Sequence, residues 1–325
     1  MSNRKAWLLF IVILLSTIFL VARWAWIPED LQLTDCTLNK NAAWIAVDWS
    51  SKPVNELAVR ELADVLASKQ IKYVFPYTTF LKSDGSFSQS YQYALQFVST
   101  LRHFNPNISI LAWIGIPLKN ERPIGIKGAV DLTDQATRKK IIEFVAALMK
   151  DGQYDGIHLD VETVLNNDPT FLLLIDEVRT AIRTDQTISV ASSHWVPDSL
   201  NALPLIKDFR WTSEYYRSVA KRVDQIVTMT YDSYAPASAI YRFWMREQSN
   251  SIAYGLKESN VELLTGISVS REETLAHHPN VETLKDGLTG LCANRQKSRA
   301  IDGVALYADW DFTPADWAIW NEWQK

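Results

Sequence analysis

The stretch Asp155-Gly156-Ile157-His158-Leu159-Asp160-Val161-Glu162 places four groups able to hold or pass a proton within eight residues. Extended, it would turn His158, Asp160 and Glu162 to one face and Ile157, Leu159 and Val161 to the other. Side chains two apart on a strand lie about 6.5–7 Å from each other at the backbone, so neighbouring carboxyls can share protons and hydrogen bonds. Burial beside a second carboxylate raises a pKa, which would keep Glu162 protonated as a general acid with Asp160 as its ionised partner. The plainer alternative for this pair is a buried structural network, which is costly to place on an inward face. For Asp155, directly before Gly156, the alternative is turn chemistry at a strand start.

Such a strand needs a scaffold, and the rest of the chain supplies a regular one. Apolar runs of strand length at 43–49, 72–78, 109–116, 156–162, 188–194, 225–231, 262–269 and 303–308 alternate with segments of helical period. The helices are expected near 54–68, 90–104, 134–150, 169–183, 212–222, 239–258, 281–299 and 314–323, with Thr133 or Asp134, and Asp168 before Pro169, as N-caps. Eight evenly spaced βα units predict an α/β fold, a (β/α)8 TIM barrel, over 43–325. No Gly-x-Gly-x-x-Gly turn follows the first strand, which removes the dinucleotide-binding signature. In such a barrel the chemistry sits at the C-terminal strand ends. Those ends carry Asp48 and Trp49, Tyr77, Trp113, Asp160 and Glu162, His194 and Trp195, Tyr231 and Asp232, Ser270 and Arg271, and Tyr307 through Asp311.

The octapeptide resembles the Asp-x-x-Asp-x-Asp-x-Glu signature of family 18 glycoside hydrolases, the chitinases and their relatives, on the fourth strand where that family carries it. Met229-Thr230-Tyr231-Asp232, at the end of the sixth strand, resembles the family's Met-x-Tyr-Asp motif. The resemblance implies a substrate-assisted, retaining hydrolysis of N-acetylglucosamine-containing glycans, with no metal or cofactor. Glu162 would protonate the glycosidic oxygen, Asp160 orient the acetamido group, and Tyr231 donate a hydrogen bond to its carbonyl. Asp155, His158 and Asp232 would support them, while Trp49, Tyr77, Trp113, His194, Trp195, Tyr307 and Trp310 would line the sugar site. Three departures mark a divergent member: His158 stands where the family has an aspartate, Ala112-Trp113-Ile114-Gly115 replaces the third-strand Ser-x-Gly-Gly, and Tyr307 aligns with the eighth-strand tryptophan. His158 could donate to Asp160 or, charged, hold it ionised. The departures also leave room for a catalytically inactive glycan-binding barrel, or for an ordinary two-carboxylate glycosidase. For Tyr231 and Asp232, and for His194, Trp195 and Trp310, ordinary packing or capping is the competing role.

The 13 tryptophans serve sugar stacking and a barrel core equally well. A net charge of -4 gives no basic field for nucleic acid. Residues 6–22 carry no charge, Arg4 and Lys5 precede them, and Trp7, Trp24 and Trp26 flank them. This predicts a membrane anchor over 1–27, N-terminus inside, then a linker over 28–42 and an extracytoplasmic barrel. A cleaved signal peptide, giving a secreted barrel, is the competing reading, although no small-x-small site follows the apolar run. Cys36 and Cys292 are too few for a zinc site or a disulfide framework; a single bridge between them is open. His277-His278, beside Pro279, reads as solvated loop surface.

Overall fold

The computed structural model describes residues 26–29, 33, 36–88, 91–119, 128–201, 210–293 and 301–325. Eight strands form a closed barrel in chain order: β1 (Asn41–Ile45), β2 (Ile71–Phe80), β3 (Ser109–Pro117), β4 (Gly156–Glu162), β5 (Thr187–Ser192), β6 (Gln225–Met229), β7 (Glu262–Ser268) and β8 (Gly303–Tyr307). All neighbouring pairs are parallel, including β1 with β8. Around them run α1 (Glu56–Ser68), α2 (Ala94–Phe104), α3 (Gln135–Gly152), α4 (Pro169–Ala181), α5 (Ser213–Ala220), α6 (Ser238–Gly255), α7 (Leu284–Cys292) and α8 (Pro314–Trp323). Single helical turns at Asp48–Ser51 and Asp198–Asn201 sit in loops. The (β/α)8 barrel read from the alternating pattern is therefore the observed fold.

Local chemistry accounts for where these elements begin. The side chains of Asn55, Asp134, Asp168, Thr212, Thr283 and Thr313 each accept from first-turn backbone amides of the helix that follows. Pro169 and Pro314 occupy the first turn, where a missing N–H costs nothing. At the strand starts a single device recurs. Asp155, Asp224 and Asp302 accept from the amides of Ile110, Ile188 and Leu263 on the preceding strands and pair with Arg102, Arg179 and Lys40. These carboxylates tie the N-terminal rim together, at the far end of β4 from Glu162 in the case of Asp155.

The strands bury both faces, as a barrel requires. Outward-facing Ile157, Leu159 and Val161 pack into the layer beneath the helices, which also holds Trp211, Trp320 and Trp323. Inward-facing Trp44, Phe75, Leu111, Trp113, Val227 and Leu264 fill the barrel itself. The tryptophans thus serve both layers, as the composition left open.

Several boundaries differ from the sequence expectation, and the differences matter for the site. β1 spans Asn41–Ile45, so it begins inside the expected linker and ends before Asp48 and Trp49, which lie in a helical turn. β5 ends at Ser192 and β6 at Met229, which leaves His194, Trp195, Tyr231 and Asp232 in the loops beyond. α7 starts at Leu284, not at 281. The last residue of the expected anchor and part of the expected linker are docked on the barrel: Ile27 is buried, its carbonyl accepts from Arg242 Nε at 3.2 Å, and Cys36 is disulfide-bonded to Cys292. The apolar segment over 6–22 lies outside the described residues, and among the described residues no helix is long and apolar enough to cross a membrane.

Candidate active site

At the C-terminal mouth of the barrel lies a cleft of about 530 Å³ lined by Ala46, Val47, Tyr77, Phe80, Trp113, Gly115, Ile116, Pro117, Asp160, Glu162, Tyr307 and Trp310. β4 delivers the two carboxyls, because its period of two turns residues 160 and 162 to the same inward face. β3 runs beside it in register, pairing Gly115 with Asp160. With no side chain at Gly115, this wall stays low next to the carboxylate, and the Tyr77 hydroxyl fits alongside.

Trp113 reaches from β3 and donates its indole N–H to Asp160 Oδ2 at 2.9 Å. The other oxygen, Oδ1, is buried without a hydrogen-bond partner among the described residues. Burial pushes the Asp160 carboxyl up to about 6, with the Trp113 hydrogen bond opposing it. Glu162 is raised well above the usual glutamate range, by burial first and then by the negative charges of Asp160 and Asp232. The pair therefore favours one proton between two carboxyls, carried by Glu162.

Aromatic rings frame these groups. Tyr231 stacks on Tyr307 with centroids 5.3 Å apart and an interplanar angle of 18°. Its phenol is held protonated by burial and by the neighbouring Tyr307, Asp160, Asp232 and Glu162. Tyr77 meets Trp113 edge-on at 4.6 Å, and burial together with Asp160 pushes its phenol up to about 12. Trp310 and Phe80 are the exposed rings of the cleft, at 50% and 40% of their full exposure.

Other candidates turn elsewhere. His158 is fully buried below the cleft, stacked on Phe75 at 4.1 Å. It accepts from Trp44 Nε1 at 3.1 Å, and its Nδ1 meets Ser189 Oγ at 2.8 Å, whose hydroxyl donates to Gln225 Oε1. These contacts require a neutral ring protonated at Nδ1, and burial pushes its pKa down to about 3. The imidazole thus neither donates to Asp160 nor charges to hold it ionised; it supports the site through Trp44, whose ring packs on Trp113. Asp155 belongs to the opposite rim, as described. Trp49 donates to Asp309 Oδ2, and Asp309 also accepts from Ala46 N, so this indole ties the β8 loop to the end of β1 instead of lining the cleft. Trp195 donates from its indole to Ser213 Oγ, and its backbone N–H and carbonyl bond to the side-chain amide of Gln248, which turns it toward α5 and α6. His194 lies against Trp244, and its Nε2 meets the Tyr231 carbonyl at 2.8 Å; burial keeps it neutral, and it anchors the tyrosine's backbone.

Sequence reasoning missed Phe80, Ile116 and Pro117 of the cleft wall, although all lie at the C-terminal ends of β2 and β3, where the barrel rule places function. It also missed His277 and Glu282, which are buried at 3% and 1% exposure. Only His278 is the surface residue expected, paired with Glu273. Asp232, His277 and Glu282 form the one group of three or more His, Cys, Asp or Glu side chains among the described residues whose ligand atoms all lie within 4.8 Å of one another. Both ring nitrogens of His277 and both oxygens of Glu282 meet hydrogen-bond partners within the protein.

Comparisons with known proteins bear on the fold and the family. The chain is similar in structure to the Bacillus cereus spore cortex-lytic enzyme SleL, with a TM-score of 0.56 and 14% identity over 88% of this chain and 75% of that one. It is also similar to a chitinase from Chromobacterium violaceum, with a TM-score of 0.58 and 13% identity over 88% and 98% of the two chains. For a class V chitinase from Nicotiana tobaccum the values are 0.53 and 14%, over 88% and 99%. At such identities these likenesses establish the fold alone. No curated protein matches the chain. The family model for glycosyl hydrolases family 18 matches residues 47–314, a span holding the whole of β4 and every cleft-lining residue but Ala46. The chain belongs to the glycosyl hydrolases of family 18.

Proposed function

We propose that this glycoside hydrolase cleaves N-acetylglucosamine-containing glycans by a substrate-assisted mechanism that retains the anomeric configuration. The observation that carries the reading is the asymmetry of the two β4 carboxyls: Asp160 is held on one oxygen by Trp113 and unpartnered on the other, while burial and the charge of Asp160 raise Glu162 toward its protonated form. Glu162 gives its proton to the glycosidic oxygen as the bond to the anomeric carbon breaks. The substrate's acetamido oxygen bonds to that carbon, and its N–H becomes more acidic as positive charge spreads over the group. Asp160 Oδ1 is placed to accept from that N–H and stabilise the charge. The Tyr231 hydroxyl donates to the acetamido oxygen and fixes it for attack. Glu162, now a carboxylate, takes a proton from the water that opens the cyclic intermediate, which restores the starting state. Trp310 and Phe80 offer exposed faces on which sugar rings stack.

The similarity to chitinases supports the substrate class, as do the rings of Trp113, Tyr77 and Tyr307 that line the cleft beside Asp160 and Glu162. The test is release of reducing ends from N-acetylglucosamine oligomers. E162Q is expected to lose about 10²–10⁴-fold in kcat, and equal turnover by this variant refutes the assigned acid. One observation favours the inactive glycan-binding alternative: Asp160 has no second carboxyl beneath it, since His158 is engaged with Trp44 and Ser189. Calorimetric sugar binding with no turnover at any pH would establish that reading.

We further propose that the barrel works outside the cytoplasm, held by the apolar segment over 6–22. The positive N-terminal flank supports the orientation, and the Cys36–Cys292 disulfide supports an oxidising compartment. The mass of the mature protein extracted from membranes tests the tether; a product beginning after residue 22 defeats it.

A further inference from the structure

The loop that follows β6 stacks Tyr231 on Tyr307 of the cleft and brings Asp232 near enough to raise Glu162, yet its backbone is unusual. Asp232 and Tyr234 both adopt left-handed conformations, with φ of 56° and 59°, which non-glycine residues enter only when their surroundings hold them there. The holding group comes from the next loop. Glu282 is 1% exposed, and its Oε2 accepts from Asp232 N at 2.9 Å while its Oε1 accepts from Ser233 N at 2.9 Å and from Ser233 Oγ at 2.6 Å. A second tie joins Tyr234 N to the Ala276 carbonyl at 2.9 Å. A carboxylate buried among donors serves this role only while it stays charged, and a buried charge needs a counter-charge.

His277 supplies it. Its Nδ1 lies 3.0 Å from Glu282 Oε2 and 3.7 Å from Asp232 Oδ1, and its Nε2 lies 3.1 Å from the Ser270 carbonyl. A carbonyl only accepts, so Nε2 carries a proton. Nδ1 then faces two carboxylates, an arrangement that is repulsive for a lone pair and attractive for a second N–H. We infer that His277 is an imidazolium that, through Glu282, positions Asp232 at the substrate cleft, and that losing this proton as pH rises releases the loop and weakens glycan binding. This inference rests on reading the cleft as a glycan site with Asp232 as one of its contacts.

The other groups around the pair fit that assignment. From α6, Tyr241 presents a buried phenol that Glu282, Asp286 and Asp232 keep protonated after burial has done so, and so it adds no charge. Asp286 of α7 is neutralised by Arg242. His194, which also feels Glu282, stays neutral through burial and through Arg210. Burial alone would lower the pKa of His277; the hydrogen bond to Glu282, the Ser270 carbonyl and the charges of Glu282 and Asp232 outweigh it and raise it. With a folded pKa above 6.5, the pair is intact below that value and is lost as pH climbs through the raised one.

The test uses the full chain with nitrogen-15-labelled histidine and, for binding, E162Q, which prevents both turnover and titration of the acid. The His277 ring is expected to carry both protons at pH 6 and to titrate above 6.5, with the Asp232 and Ser233 amides shifting on the same curve. The dissociation constant of E162Q for an N-acetylglucosamine tetramer should rise about tenfold between pH 6.5 and 9.5, the scale of one charge-assisted hydrogen bond. Adding His277→Asn, whose amide donates to Glu282 without titrating, should flatten that rise. Titration of Asp160 is common to both chains and cancels. Glu282→Gln gives a second arm in which His277 should turn neutral by pH 7. A His277 ring that is neutral at pH 6, or a pH dependence of binding unchanged by His277→Asn, overturns the inference. If E162Q binds no tetramer at any pH while the ring and the two amides titrate together, the glycan reading fails and the positioning pair stands.

Discussion

Replacing Trp113 with Phe isolates the contact that separates the two carboxyls. The indole N–H of Trp113 lies 2.9 Å from Asp160 Oδ2, and phenylalanine keeps a ring against Tyr77 while removing the donor. A hydrogen bond to a charged acceptor contributes about 1.5–3 kcal/mol, which at about 1.36 kcal/mol per pKa unit moves the carboxyl by about one to two units. The sign follows from which form is stabilised. The N–H favours the ionised carboxylate, so removing it raises Asp160 above its already elevated value of about 6. The reaction needs Asp160 ionised while Glu162 is protonated, and that window narrows from its acid side. The assay is kcat/KM for an N-acetylglucosamine oligomer from pH 4 to 9, with the fold checked by circular dichroism. The acid limb should move up by about one to two units, and the maximum should fall by about 10–100-fold. An acid limb that stays in place in a folded Trp113→Phe variant would refute the claim that Asp160 acts as a carboxylate tuned by this indole.

Four further outcomes follow. Asp160→Asn should abolish turnover yet raise stability by about 0.5–2 kcal/mol near pH 7. Because the Asp160 pKa is raised in the fold, its penalty is absent below 3.8 and complete above about 6, so the gain in Tm should vanish in acid. Asp155→Ala should leave kcat/KM unchanged and cost about 1–3 kcal/mol in denaturant unfolding, since Ile110 N and Arg102 lose their partner. Trp310→Ala should raise KM about tenfold with a smaller effect on kcat, as expected for the loss of a stacking face of about 1–1.5 kcal/mol. Cys36→Ser should lower stability by about 2–4 kcal/mol, measured against the wild type without reductant, because the bridge closes a loop of 256 residues.

How much of this was legible in the sequence depended on whether a residue obeyed a period. β4 matched its expected span because alternation is strict there and Asp155-Gly156 marks its start. Asp160 and Glu162 followed, since a strand in a closed barrel leaves their side only one direction to face. Trp49, His194 and Trp195 were misplaced for a related reason. Nothing in Ala46-Val47-Asp48-Trp49 or Ser193-His194-Trp195 marks the strand's end, whereas strand pairing stops at Ile45 and Ser192, and the chain turns these side chains into the loops. His158 shows a different limit. Its inward direction was readable, but its partners Trp44 and Ser189 come from strands 114 and 31 residues away in sequence, and only the closed barrel brings them together. His277 and Glu282 had no readable signal, because their burial arises where two irregular loops meet, and neither loop carries a periodic pattern.

The central claim is that the substrate's own acetamido group, guided by Asp160 and Tyr231, does the work of a nucleophile. The most direct measurement pairs two oligosaccharides that differ only at C2, one bearing acetamido and the other hydroxyl, and follows the first-formed anomer by NMR. The account predicts that only the acetamido sugar is hydrolysed and that its product keeps the original anomeric configuration. Comparable hydrolysis of both sugars, or an inverted product from the acetamido sugar, would contradict it.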